Sequence, residues 1–360
     1  MATMPDLLSA IDVYKRQPIT KDNTSVEYYC TIFAAAESPR VKDVIWAGSD
    51  DGLIHVTKDG GKNWTNVTPP GMPKWTMVNS MEPDPHLDGG CYFAATGYKQ
   101  GDFAPYIYKT EDYGKTWQKI TTGIKDEHFT RVVRSDPKRK GLLYAGTETG
   151  MYISLDDGKS WSAFQLNLPI VPITDLTIKN DNLIVATQGR SLWIIDDLSP
   201  LHQYKSEISK SDIHLFKPLD AYRMGGVGGF FRGGNALLNG VNHPGGALFS
   251  FYLPDAPGKN DTVTLTIHEA SGKLIKTFSN YPKDGEENLP LKKGANKFNW
   301  NLRYPNAKGF EGLVMWAGSL VGPMAAPGDY QVKLSAKKGS ASHAFKAVSY
   351  THLDVYKRQR

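Results

Sequence analysis

Apolar and polar residues alternate over short runs through the first half of the chain, and glycine, aspartate or asparagine bounds each run. Alternation with period two between such residues is the signature of β-hairpins. The runs come in sets. Each set opens with an expected inner strand (27–34, 77–81, 130–134, 174–178), followed by a β-rich stretch (44–48, 91–95, 142–146). A short alternating strand comes next (53–56, 106–109, 151–153), then a last strand that starts at a tryptophan (64–67, 117–120, 161–164). The fourth set (173–179, 182–186, 191–195) has no such last strand. From residue 201 the recurrence stops. A Gly-rich linker is expected over 201–239, then a small β-sandwich over 240–347, with strands at 247–253, 263–269, 274–278, 296–302 and 330–334.

Between the third and last strands one pattern, Thr/Ser-x-Asp-x-Gly-x-x-Trp, occurs three times. It places Asp59, Gly61 and Trp64, then Asp112, Gly114 and Trp117, then Asp156, Gly158 and Trp161. A period of roughly 45 to 50 residues fits four-stranded propeller blades. The residues make mechanical sense as a turn. An aspartate carboxylate accepts backbone N–H bonds across its own turn, the glycine supplies a conformation closed to other residues, and the tryptophan buries a large apolar surface. None of them is a nucleophile.

These three copies resemble the Asp-box, or bacterial neuraminidase repeat, of sialidases, xyloglucanases and sortilin-type propellers. The run from Trp46 to Gly52 with Val56 to Gly61, and the run from Gln188 to Asp197, resemble more narrowly a bacterial group of sortilin-like or glycosyl-hydrolase-like repeat proteins. That resemblance implies an all-β chain: a partial β-propeller of about four blades over residues 18–200, the last blade three-stranded. It also implies a secreted, periplasmic or cell-surface location. Residues 270–273, 296–302 and 327–330 resemble the Ig-like domain of flagellar hook-capping proteins, which implies an Ig-like β-sandwich and no chemistry.

Asp-Val-Tyr-Lys-Arg-Gln stands at residues 12–17 and again at 354–359, the second copy preceded by Val-Ser-Tyr-Thr-His-Leu. Both ends resemble translated sequencing adapter, so residues 1–17 and 348–360 are set aside from fold reasoning. The remainder is then expected to be a fragment whose further N-terminal blades lie upstream. The ends carry about +2 of the formal net charge of +5, which leaves no electrostatic case for nucleic acid as a partner. No apolar run approaches a membrane span, so no membrane insertion is expected. Cys30 and Cys91 fall on strand-like segments of different repeats and are expected as buried free thiols, with a disulfide between them as the alternative.

Antiparallel blade topology puts the repeat turns on one rim. Loops between second and third strands, and loops between blades, emerge on the opposite face. That face is expected to carry Asp50, Asp51, an insertion over 98–105 with Lys99 and Asp102, Glu148, Gln188 and Arg190, joined by Lys74, Trp75, Glu127 and His128. Aromatics there suit sugar stacking, and paired carboxylates suit general acid/base glycoside hydrolysis. Asp51, Asp102 and Glu148 are the catalytic candidates; Lys74, Trp75, Tyr98, His128 and Arg190 are the ligand-binding ones. Asp50, Asp51 and Glu148 also sit where a tight turn favours such residues. The Arg-Ile-Pro element of sialidases is absent, neither xyloglucanase loop is matched, and there is no His-Glu-x-x-His, Cys-x-x-Cys or serine-nucleophile elbow. No metal and no cofactor is expected. The leading reading is binding of a glycan or protein ligand, followed by glycoside hydrolysis by an inverting carboxylate pair, then a structural or assembly scaffold. The Gly-rich run at 225–234 fits neither phosphate-binding fingerprint and reads as linker.

Overall fold

The computed structural model describes residues 30–223, 245–258, 261–284, 286–316 and 318–349. They divide between Asp196 and Asp197 into two compact units. The first unit is a run of antiparallel sheets in chain order. Blade one comprises β1 (Ile32–Glu37), β2 (Ile45–Ser49), β3 (Ile54–Thr57) and β4 (Thr65–Asn66). Blade two comprises β5 (Met77–Pro83), β6 (Cys91–Gly97), β7 (Asp102–Thr110) and β8 (Gln118–Lys119). Blade three comprises β9 (Thr130–Ser135), β10 (Leu143–Thr147), β11 (Gly150–Ser154) and β12 (Ser162–Ala163). Blade four has three strands, β13 (Ile173–Lys179), β14 (Asn182–Thr187) and β15 (Leu192–Ile195). The inner strands β1, β5, β9 and β13 pack against one another in that order, the arrangement of a β-propeller.

The repeat turn is built the same way three times. In blade two the Asp112 carboxylate accepts the Thr110 hydroxyl at 2.8 Å, the Thr116 amide at 2.9 Å and the Thr116 hydroxyl at 2.6 Å. The Gly114 amide donates back to Thr110 Oγ1 at 3.0 Å. Asp59 and Asp156 repeat this with Thr57 and Asn63, and with Ser154 and Ser160. The Thr116 hydroxyl and amide hold the Asp112 carboxyl down at about 2, as Asn63 does for Asp59. Gly114 and Gly158 have positive φ, and a Cβ on either would stand 2.6 Å from Val67 or 2.4 Å from Ile120 of the preceding blade. The tryptophan then reaches across the blades. Trp117 Nε1 donates to Val67 O at 2.6 Å, and Trp161 Nε1 to Ile120 O at 2.7 Å. Trp117 also sits edge-on to Trp46 and to Phe93.

A polar ladder crosses three inner strands. Arg134 on β9 stands 3.6 Å from Glu82 on β5 and 2.7 Å from Asp175 on β13, and its Nε donates to Leu176 O at 2.8 Å. Burial pushes the Glu82 carboxyl up to about 7 against the opposing pull of Arg134 and of the Ser135 amide.

The second unit holds a short helix α1 (Ser199–Gln203) and two sheets that share one apolar core. Its strands are β16 (His214–Leu215), β17 (Ala221–Arg223), β18 (Ala247–Leu253), β19 (Thr264–Glu269), β20 (Leu274–Ser279), β21 (Glu287–Asn288), β22 (Gly294–Trp300), β23 (Gly328–Ala336) and β24 (Gly339–Ser349). One sheet runs β16-β18-β22, the other β17-β24-β23-β19-β20-β21. Phe249, Phe345, Trp300 and Tyr330 pack edge to face between them.

Several expectations need correction. The segment expected as a linker holds α1, β16 and β17, because those short strands pair with β18 and β24; the glycine run itself lies outside the described residues. β24 was not expected, and Val348 and Ser349, assigned to the adapter-like end, pair within it to Tyr222 and Arg223. The first inner strand runs over Ile32–Glu37, and residues 27–29 lie outside the described residues. The insertion over 98–105 is a single 3₁₀ turn, Tyr98–Gln100, running straight into a long β7. Cys91 is a buried free thiol, whereas Cys30 is exposed.

Two predictions follow from these contacts. Trp117→Ala should cost about 3–5 kcal/mol and Trp117→Phe, which loses chiefly the bond to Val67, about 1 kcal/mol, both read as shifts in urea midpoint. Glu82 is held protonated in the fold above the ordinary 4.5, so its contribution is complete below that value and fades as pH rises through 7. Glu82→Gln should therefore flatten the fall in stability between pH 5 and 8 by roughly 2 kcal/mol; an unchanged slope would contradict the buried-carboxyl assignment.

Candidate functional site

The loop face opposite the repeat turns is assembled from four connections. At the β2–β3 turn, Asp50 is tied to the start of blade one: its Oδ1 accepts the Thr31 amide at 2.9 Å, and its own amide donates to Thr31 O. Asp51 accepts the Ser49 hydroxyl, and its carbonyl accepts the Trp75 amide at 3.2 Å. Trp75, on the loop joining blades one and two, has positive φ and is 47% exposed; Lys74 beside it is exposed. The Gln100 amide nitrogen, turned to satisfy both groups, donates at 3.2 Å to Trp75 O and to Gly97 O. This carries the arc from blade one to the Tyr98 turn of blade two.

There an aromatic stack begins. The Tyr98 and Phe129 rings lie 5.4 Å apart and nearly parallel, and Phe103, 51% exposed, leans on Phe129 at 6.0 Å. The Arg131 guanidinium stands 5.3 Å from the Phe129 ring and 5.8 Å from the Tyr98 ring. Its Nε donates to Glu148 Oε2 at 2.6 Å, and the Glu148 amide donates to Phe129 O. Arg131 and Glu148 are 20% and 33% exposed, so the pair is half-buried and still reaches solvent. Next to it, His128 bonds the Tyr152 hydroxyl at 2.9 Å. Desolvation, helped by Lys125, lowers the imidazole below its ordinary value.

Asp51, Trp75, Tyr98, His128 and Glu148 thus fall on one continuous arc. Asp102 lies on its border as a turn carboxylate, accepting the Tyr106 hydroxyl at 2.5 Å and the Ala104 amide at 3.0 Å. Burial and that carboxylate raise the Tyr106 hydroxyl well above its usual value. Arg190 keeps its hydrogen bonds within its own turn, to Gly189 O and from Trp193 Nε1. Each of the three candidate carboxylates is therefore engaged by a hydroxyl or a guanidinium. Among the described residues no group of three or more His, Cys, Asp and Glu is placed to hold a metal ion.

Phe103, Phe129 and Arg131 were not singled out from the sequence. The one available signal is Arg131 itself, a charge one residue into an inner strand whose neighbours Thr130 and Val132 are buried.

No protein-family model matches the chain. Over 106 residues it is 35% identical to the vacuolar protein sorting/targeting protein 10 of Laccaria bicolor, a match covering 29% of this chain and 6% of that protein. Over 109 residues it is 28% identical to the oligoxyloglucan-reducing end-specific xyloglucanase of Emericella nidulans, covering 29% of this chain and 13% of that one. The chain spans far less than two thirds of either curated relative. Among solved structures it is similar to YCF48 bound to D1 peptide, with TM-score 0.37 and 19% identity over 46% of this chain and 52% of that chain. It is also similar to the GH74 xyloglucanase of Xanthomonas campestris, with TM-score 0.34 and 18% identity over 51% and 30%. Together with the blades, the two curated matches go with a β-propeller family and with no single activity.

Proposed function

We propose that this chain is the blade-bearing part of an extracytoplasmic binding protein, with a propeller of Asp-box type joined to an Ig-like β-sandwich. Its loop face binds a glycan or protein ligand. The observation that carries this reading is the arc from Asp51 to Glu148. Two half-exposed aromatics, Trp75 and Phe103, lie on the same arc as an ion pair set against a stack of two rings. A preorganised aromatic and polar surface favours affinity, because little conformational freedom is lost on contact. Lys74 and His128 supply further polar edges. Among the described residues no helix is long and apolar enough to cross a membrane.

Glycoside hydrolysis is the second reading, favoured by the local match to the Emericella nidulans enzyme. It would employ Asp51, Asp102 and Glu148. The bonds those carboxylates already make to Ser49, Tyr106 and Arg131 count against a free general acid.

Two measurements separate the readings. Trp75→Ala and Tyr98→Ala should each weaken retention on a glycan array or an immobilised peptide library by about tenfold, the cost of one lost aromatic contact. Asp59→Asn on the opposite rim should leave retention unchanged. Wild-type protein should release no reducing sugar from a broad polysaccharide panel. Turnover abolished by Asp51→Asn or Glu148→Gln with binding retained would replace binding by hydrolysis.

A further inference from the structure

We infer that the surface formed by Tyr98, Phe103, Arg131 and Glu148 takes an uncharged glycan, a conclusion that rests on the loop-face binding reading and narrows it. Charge is the first argument. The Arg131–Glu148 contact at 2.6 Å pairs the two charges of the cluster, so neither stands alone to attract a carboxylated sugar or an acidic peptide. A ligand carboxylate brought to Arg131 would lie beside that of Glu148, and like charges at that range oppose binding.

Hydrogen-bonding capacity is the second. Arg131 commits its Nε to Glu148, which leaves the terminal guanidinium nitrogens as donors and the second Glu148 oxygen as an acceptor beside them. A sugar hydroxyl both donates and accepts, so two adjacent hydroxyls match a donor and an acceptor fixed side by side. The third argument is apolar. Phe103 turns half its surface to solvent against the buried Phe129, offering a flat face to the C–H side of a pyranose ring. The supporting stack of Tyr98 on Phe129 holds Arg131 in register, so the polar and apolar elements are presented together. A peptide added as a strand would call for an unpaired sheet edge, which this cluster of side chains does not provide.

The test uses the full chain on an array of neutral and carboxylated oligosaccharides, followed by calorimetry with cellohexaose, xylohexaose and hexagalacturonate. Expected is binding of at least one neutral oligosaccharide, at least tenfold tighter than hexagalacturonate. That binding should change less than about twofold between 50 and 500 mM salt, as an uncharged ligand requires. Phe103→Ala, at a half-exposed position, should weaken it by about tenfold with an unchanged circular dichroism spectrum. Glu148→Gln should shift preference toward hexagalacturonate by about tenfold, because it uncovers Arg131. Preference of the wild type for carboxylated sugars, or steep salt dependence, would overturn the inference and leave the binding face in place. So would failure of every oligosaccharide combined with retention of a peptide that Phe103→Ala releases. Failure of glycans and peptides alike would remove the binding reading as well.

Discussion

A sheet of four short strands has two apolar faces and no means of covering either alone; this constraint governs the first unit. In blades two and three the second strand is buried along its whole length, every residue of β6 and of β10, which demands a neighbour on each side. The close approach is visible at Gly48 and Gly146, where a Cβ would stand 2.4 Å from Val78 and 2.6 Å from Ile173 of the next inner strand. Where the stack ends among the described residues, cover is lost. In blade four Leu192 and Ile194 are 67% and 57% exposed.

The loop-face arc depends on that packing. Tyr98 comes from the β6–β7 connection, Phe129 and Arg131 from the entry to β9, Glu148 from the β10–β11 turn. Tyr98 reaches the other three because the inner strands of blades two and three lie side by side. Arg131 and Glu148 pair within blade three, but the Tyr98 ring that stacks on Phe129 is supplied by blade two. The ladder of Glu82, Arg134 and Asp175 ties the same strands together in the layer beneath. The loop-face arc and the blade interface thus share one juxtaposition of strands.

What the sequence made legible follows the range of the forces involved. The repeat turns are local: a carboxylate at Asp112 and its donors at Thr110 and Thr116 lie within seven residues, so the pattern appears as a motif. Strands such as β18 announce themselves by alternation. β16 and β17 are two and three residues long and exist because distant β18 and β24 offer them edges, so no local period betrays them. β24 begins in Gly339, Ser340, Ala341 and Ser342, small and polar residues that carry no strong strand signal of their own, and it is set by its pairing with β23. In the site, Trp75, Tyr98 and Glu148 stood out as polar or aromatic residues in loops. Arg131 did not, because its partners are a turn residue seventeen positions on and a ring from another blade, and a charge within a strand carries no sign of what it will meet.

The tryptophan bonds point one way along the chain. Trp117 of blade two seats on the Val67 carbonyl of blade one, and Trp161 of blade three on the Ile120 carbonyl of blade two. Like overlapping roof tiles, each unit rests on the one laid before it. In order of synthesis, then, every tryptophan emerges to find its acceptor already placed, and assembly has a direction that the symmetry of the blades alone would not give it.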